Sequence, residues 1–566
     1  MTQPKKDIVV AIDFGTTFSG IAWAHTANPE AIHIIQRWPY NIAGDLGGQT
    51  ADKTPSELAY NYDNRKVLPV WGAQIPKNMP RLQSFKLDLV PEGRKHRKAT
   101  LLPDHHDPRR MNYPHRVTAN KVLIDYLHAL QEHIPKVLKE QFGTALDSMS
   151  FKYVIAVPAM WPEKAKAQTR TCAEKAGFGR ASDIQIISEP EAAAVHVMTK
   201  GHLSALEVDD TIVICDAGGG TVDCITFTIL ALQPVLRLKE SAAGDGKLCG
   251  GIFLNNLFEH FLSGRLGNCE GWDDDTLGAA MREFEMETKR SFSGDTKQDF
   301  FVPVPGLADN ESLGIHRTSY KVTGQELMDT LLPVLTETLE LVMRQIRLSK
   351  NRPKSVFLVG GFGQSPLLFE YLRRFIPPEI NIIAPVNGWT SVARGACVKA
   401  LADMSDPAPQ IQVESRVSRK HYGVTINVPF EDGHDLRKRY WDFYHGAFYI
   451  TGEDVQESVP ITTSYVRHLL KTQGEVNSVP VQIYELNTLE GEDAPLYFNR
   501  TIKKHAILEP PLDRISKATI PVKVGADWKE YYKVEYKIQA RYYSAHCEHS
   551  LWFGGKDHGS VKVDYV

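Results

Sequence analysis

The sequence predicts an α/β protein made of two related lobes and a trailing β-rich region. Three observations carry that expectation. A strand-turn-strand pattern near residue 10 returns about 200 residues later, amphipathic helices fill the intervals, and helical periodicity nearly vanishes after residue 403. At 566 residues, the length allows roughly three to four ordinary domains, or two large lobes with an appendage.

The first copy begins with the apolar run Ile8 to Ile12, which ends at Asp13-Phe14-Gly15-Thr16-Thr17; a second run closes near Ala24. The second copy is Thr211 to Cys215, then Asp216-Ala217-Gly218-Gly219-Gly220-Thr221, then Cys224 to Phe227. Between them, Leu123, Leu127, Leu130, Ile134 and Leu138 recur at helical spacing, with Pro135 expected to bend the rod. Phe151 to Val157 reads as a buried strand closed by Pro158. Farther on, Leu277, Met281, Phe284 and Thr288 mark one helix. A longer one carries Leu327, Leu331, Leu335, Leu339, Val342 and Ile346, with an interruption expected at Pro333. Val356 to Val359 enters Gly360-Gly361-Phe362-Gly363, and Ser365-Pro366 opens another helix.

Past residue 403 the texture changes. Asp406-Pro407-Ala408-Pro409 reads as a linker. Tyr532, Val534, Tyr536, Ile538, Ala540 and Tyr542 alternate with polar residues, the pattern of a half-buried strand. Val479–Tyr484 and Val561–Val566 are shorter strand candidates, and the aromatic run Tyr440, Trp441, Phe443, Tyr444 and Phe448 reads as core rather than as an exposed patch.

Composition narrows the function classes. Hydrophobic residues at 42% and charged residues at 23% are ordinary for a globular chain. With 65 basic against 68 acidic side chains and a pI near 6.7, no strong field draws the chain to nucleic acid or anionic membrane. The basic run Arg94 to Lys98 reads as a solvated loop. No stretch approaches the ~18 apolar residues of a membrane span, and Met1 to Lys6 is polar, so neither a span nor a signal region is expected. Seven dispersed cysteines without a CxxC pair argue against a zinc site or disulfide framework. A reduced cytosolic or nuclear setting is therefore expected, with Cys215 and Cys224 acting as small buried hydrophobes.

The chemistry concentrates in the two strand-to-turn junctions. Gly15-Thr16-Thr17 and Gly218-Gly219-Gly220-Thr221 let bare backbone turn sharply, so that amides face an anion and threonine hydroxyls add donors. Asp13 and Asp216 each end a buried strand, a costly place for a carboxylate without compensation. Both could cap their turns by Asx hydrogen bonding. A shared Mg²⁺ site, held largely through water, accounts for the pair better. No GxxxxGK[ST] occurs, which disfavours a P-loop fold.

At these residues the chain resembles the ATPase domain of the heat-shock protein 70 family. Ile12 to Ser19 looks like that family's first phosphate loop and Asp216 to Asp223 like its second. Val157-Pro158-Ala159 and Ile187-Ser188-Glu189-Pro190-Glu191 resemble the connecting segment; Gly250-Gly251 with Phe253, and Val359-Gly360-Gly361, resemble further landmarks. The resemblance implies duplicated actin-like ATPase lobes, ribonuclease H-like, over 1–403 (lobe I about 7–205, lobe II about 206–400). It also implies a linker at 404–415 and a β-rich partner-binding domain at 416–566 without a helical lid. It further implies ATP/ADP and Mg²⁺ as cofactors, and protein clients, co-chaperones or exchange factors as partners.

The implied roles fall on named residues. Asp13 and Asp216 would hold Mg²⁺ through water, and Gly15, Thr16, Thr17, Phe18, Gly218, Gly219, Gly220 and Thr221 would surround the phosphates. Glu189 would orient the attacking water; helix capping ahead of Pro190 is its other reading. Lys86, in Phe85-Lys86-Leu87-Asp88, would face phosphate, with an exposed surface lysine as the alternative. Gly250, Gly251, Lys289, Arg290, Ser293, Gly360, Gly361 and Gln364 would complete the nucleotide site, with Lys289, Arg290 and Ser293 on the adenosine-contacting helix, although Glu285 to Lys289 is also an ordinary helical ion pair.

The departures lie at the base end. The family's acidic residue on that helix falls on Met286, its adenine-stacking arginine on Gln364, and a late aspartate at or beside Trp389. Gln364 offers no cation–π contact, so weaker or less adenine-selective binding is expected. The family's apolar, acidic-tipped linker is also missing. Three functions remain in view: a weak ATPase coupled to client binding, a nucleotide-binding scaffold with negligible turnover, and a sugar-type kinase, which the motifs favour least.

Overall fold

The computed structural model describes residues 7–39, 50–63, 66–76, 79–90, 117–199, 206–404, 411–427, 443–449, 454–457, 459–473, 478–486, 499–525 and 527–566. The chain forms two compact units. One comprises Met1–Leu236 with Gly244–Gln412, the other Arg237–Ala243 with Val413–Val566. The proline-rich stretch read as a linker, the basic run near Arg94, and Tyr440 and Trp441 lie outside the described residues.

In the first unit the strand pattern is built twice. Strand Asp7–Phe14 pairs antiparallel with Phe18–His25 and parallel with Ser150–Val157, which pairs parallel with Gln185–Ser188. Strand Thr211–Ala217 repeats the arrangement. It runs antiparallel to Val222–Ala231 and parallel to Ser355–Val359, whose other neighbour is Asn381–Ile383. Asp13 faces Gly20 and Ala156 across its two ladders, while Asp216 faces Asp223 and Val359. The two aspartates thus occupy equivalent places in duplicated sheets. Each central strand is buried along its whole length, which explains the continuous apolar runs.

Helices cover the sheets. Ala119–Phe142 buries Leu123, Leu127, Leu130, Ile134 and Leu138, and runs through Pro135. Gly324–Leu348 likewise continues through Pro333, contrary to the expected interruption. Leu331, Val334 and Leu335 are fully buried around that proline. Their burial, with a capping box of Thr323 and Glu326 at the start, outweighs the ~3 kcal/mol that an interior proline costs. Helix Glu189–Thr199 lies against helix Ser391–Met404 so closely that a Cβ on Gly395 would stand 2.6 Å from the Ala192 carbonyl carbon.

The second unit has a separate core. Val424, Val481 and Leu508 come from one five-stranded sheet. They meet Val534, Tyr536, Ile538 and Leu551 from another, in sandwich fashion. Strand Glu530–Tyr542 buries Val534, Tyr536 and Ile538 and exposes Glu535 and Lys537, the alternation read from sequence. Phe443, Tyr444 and Phe448 fall in strand Phe443–Tyr449.

Candidate functional site

The two glycine-threonine bends meet. A Cβ built on Gly219 would collide with the Thr17 side chain, and one on Gly220 would lie 2.8 Å from the Thr16 Cβ. Residues some 200 positions apart are therefore in van der Waals contact, and only glycine permits it. The second bend is closed by the Gly218 amide donating to the Thr221 carbonyl at 2.9 Å. Behind it, the amides of Gly251 and Ile252 donate to the carbonyls of Gly218 and Gly219 at 3.0 and 2.8 Å. Gly250 and Gly251 thus brace the bend through the N-terminus of helix Gly251–Leu266. Gly360 has a φ of +81°, and a Cβ there would lie 2.5 Å from both the Ala217 carbonyl oxygen and Asp216 Oδ1. Only glycine leaves room there for the Asp216 carboxylate.

Four carboxylates and two ammonium groups surround the junction. Lys86 is buried rather than exposed, and donates to Glu189 Oε1 at 2.6 Å, with side chains 3% and 9% exposed. Its Nζ also stands 5.5 and 5.3 Å from the rings of Phe14 and Trp161. Lys86 sits on the Phe85–Leu89 turn, which Phe85 anchors against Phe14 and Tyr126. Glu189 opens helix Glu189–Thr199 directly after strand Gln185–Ser188. Burial pushes its carboxyl up to about 7, with Lys86 opposing and Asp13 and Asp223 adding to the rise. Asp216 is raised well above the carboxylate range, again chiefly by burial and then by Glu189, Asp13 and Asp223.

Sequence reasoning missed two members of this group. Lys53 donates to Asp13 Oδ2 at 2.6 Å, and both side chains are 7% exposed. No local motif in Asp52-Lys53-Thr54-Pro55 marks it. Asp223 is raised to about 6, mainly by burial, with the Thr221 hydroxyl and the Met160 amide opposing. Its signal was the match of position to Asp216 across the hairpin.

At the base end, Ser293 and Gln364 line one cavity of about 560 Å³ with Phe369, Glu370 and Ile382. Gln364 folds back: a Cβ on Gly388 would meet its side-chain amide. Lys289 is held between Glu285 and Asn255, so the helical ion pair does form. Arg290 donates to the Glu285 carbonyl at 3.1 Å and lies near Met286, which is exposed. Lys289 and Arg290 directly follow a π-helical turn at Phe284–Thr288, which carries Glu285 and Met286. Trp389 packs edge-on to Phe18 at 5.9 Å and beside Gly361, joining the base end to the first bend.

The Hsp70 protein family matches residues 111–409, a stretch that includes Glu189, the second bend and Gly360. Heat shock 70 kDa protein 12A of Homo sapiens is 25% identical over 519 residues, covering 75% of this chain and 73% of that protein. Heat shock 70 kDa protein 12B of Homo sapiens is 24% identical over 528 residues, 76% and 73% of the two chains. Chaperone protein DnaK of Carsonella ruddii (strain PV) is 26% identical over 410 residues, 69% of this chain and 62% of its own. A family match over more than half of the chain, joined to the doubled strand pattern, leads to one conclusion: this protein belongs to the Hsp70 family, as a divergent member with the actin-like ATPase fold.

Proposed function

We propose that the chain binds ATP or ADP with Mg²⁺ at the junction of the two bends, hydrolyses ATP slowly, and couples the nucleotide state to protein binding by its β-rich unit. The observation that carries this reading is the buried Lys86–Glu189 pair beside Asp13 and Asp216. Bend amides and the hydroxyls of Thr16, Thr17 and Thr221 would receive phosphate oxygens. Glu189, with a pKa near neutrality, would orient water and accept its proton, while Lys86 beside it would face the phosphate. Hydrolysis then needs positioning and charge stabilisation, without a covalent intermediate.

The residues present suit a divalent ion. Four carboxylates face two ammonium groups, and no lysine or arginine of the described residues pairs with Asp216 or Asp223. Among the described residues, no three carboxylate, histidine or cysteine groups converge to chelate a metal unaided. Asp13 and Asp216 would therefore hold Mg²⁺ through water, and the ion would offset charge on the phosphates. Protein clients, exchange factors and a cytosolic setting belong to the same proposal and rest on family membership. No helix among the described residues is long and apolar enough to cross a membrane.

Steady-state phosphate release tests the catalytic part. Glu189→Ala is expected to lower turnover by about 10²-fold, within the range of lost general-base catalysis. Equal rates would leave a nucleotide-binding scaffold, a reading that the folded-back Gln364 and the Trp389–Phe18 contact favour.

A further inference from the structure

Lys53 is out of place as a structural residue. Burying an ammonium and a carboxylate together is costly, and a hydrophobic pair of similar volume would often serve the fold as well. The surroundings are shaped for it. A Cβ on Gly20 would come within 3.0 to 3.4 Å of the Lys53 stem carbons, so Gly20 leaves the channel along which the side chain runs. The Nζ arrives 6.0 Å from the Trp389 ring centroid, at the outer limit of a cation–π contact. Among the described residues Asp13 is the one hydrogen-bond acceptor of this ammonium, which carries three N–H groups. Its charge reaches beyond Asp13, since it also acts on Asp216 at the start of the other bend. Lys86 differs in its surroundings: besides Glu189 it stands over the rings of Phe14 and Trp161.

Resting on the nucleotide-site reading, we propose that Lys53 is a second phosphate ligand. Its ammonium stays on Asp13 and turns its free N–H groups to the nucleotide's β- or γ-phosphate. A fixed cation at Asp13 takes over part of the charge neutralisation otherwise left to the divalent ion. Nucleotide diphosphate binding by this chain is therefore only weakly dependent on Mg²⁺.

Calorimetric titration of the full chain with ADP and with adenosine, in Mg²⁺ and in EDTA, tests the proposal. Wild type is expected to lose less than about tenfold in ADP affinity when Mg²⁺ is chelated. Lys53→Met is expected to lose at least about tenfold for ADP in EDTA, the worth of one charge-assisted hydrogen bond, while adenosine binding stays unchanged. Lys53→Arg, which keeps the charge and avoids orphaning Asp13, is expected to bind ADP in EDTA within a few-fold of wild type. The proposal is overturned if wild type loses ADP binding by about a hundredfold or more in EDTA, or if Lys53→Met binds ADP there as wild type does. If wild type binds no nucleotide even with Mg²⁺, the nucleotide site itself is lost. ADP binding that is normal in Mg²⁺ and collapses in EDTA removes the Lys53 role alone.

Discussion

At the scale of single residues, the site is defined by how buried charge is distributed. Asp13 and Glu189 each have a lysine; among the described residues Asp223 has bonds from Thr221 and the Met160 amide, while no lysine or arginine pairs with Asp216. That imbalance has a sign. Glu189 rises from an ordinary carboxylate value to about 7, so between pH 4.5 and 7 the folded state holds a proton that the unfolded chain has released. Stability of the nucleotide-free protein must fall as pH rises through that window, and Asp223 and Asp216 push the same way. A series of thermal melts between pH 5 and 8 is expected to show a falling melting temperature, with a shallower fall in Glu189→Gln. A melting temperature that rises over the same range would contradict the burial of these carboxylates.

Among elements, the contact of helices Glu189–Thr199 and Ser391–Met404 controls where Glu189 stands. Ala192, Ala193 and Ala194 on one helix and Gly395 and Ala396 on the other are buried, and this allows the close approach. Gly395→Ala puts a methyl against the Ala192 backbone, which cannot move aside as a flexible side chain would. Destabilisation of about 3 kcal/mol is expected, the upper part of the usual overpacking range, together with reduced turnover because Glu189 shifts at the helix start. Chemical denaturation and phosphate release measure the two effects. Unchanged values for both would mean that the helices can separate freely. The helix through Pro333 illustrates the opposite balance, in which tertiary burial overrides a local breaker.

Across the whole molecule, the doubled strand pattern turns distant sequence into one site. If the bends grip one polyphosphate, Mg²⁺-ATP should protect the amides of Gly15–Thr17 and Gly218–Thr221 together in hydrogen exchange, at least about tenfold relative to the free protein. Protection of one bend alone would show that they do not share a ligand. The β-rich unit has its own buried cluster, with Glu485 as a polar anchor outside it. Burial works against the Glu485 charge, but bonds from His505 and Lys420 outweigh it and hold the carboxyl down to about 2.

Local chemistry was enough to determine the central strands, the two bends with their aspartates, the alternation of strand Glu530–Tyr542 and the family, because each is written in contiguous residues. Periodicity and glycine spacing survive as signals wherever a strand is buried along its length or a backbone must turn without a Cβ. Lys53 on Asp13, Lys86 on Glu189, the folded-back Gln364 and the unbroken helix through Pro333 were decided only by tertiary structure. Charge pairing between buried groups depends on distance and dielectric in space. Neither quantity is encoded in the neighbours that a lysine has along the chain.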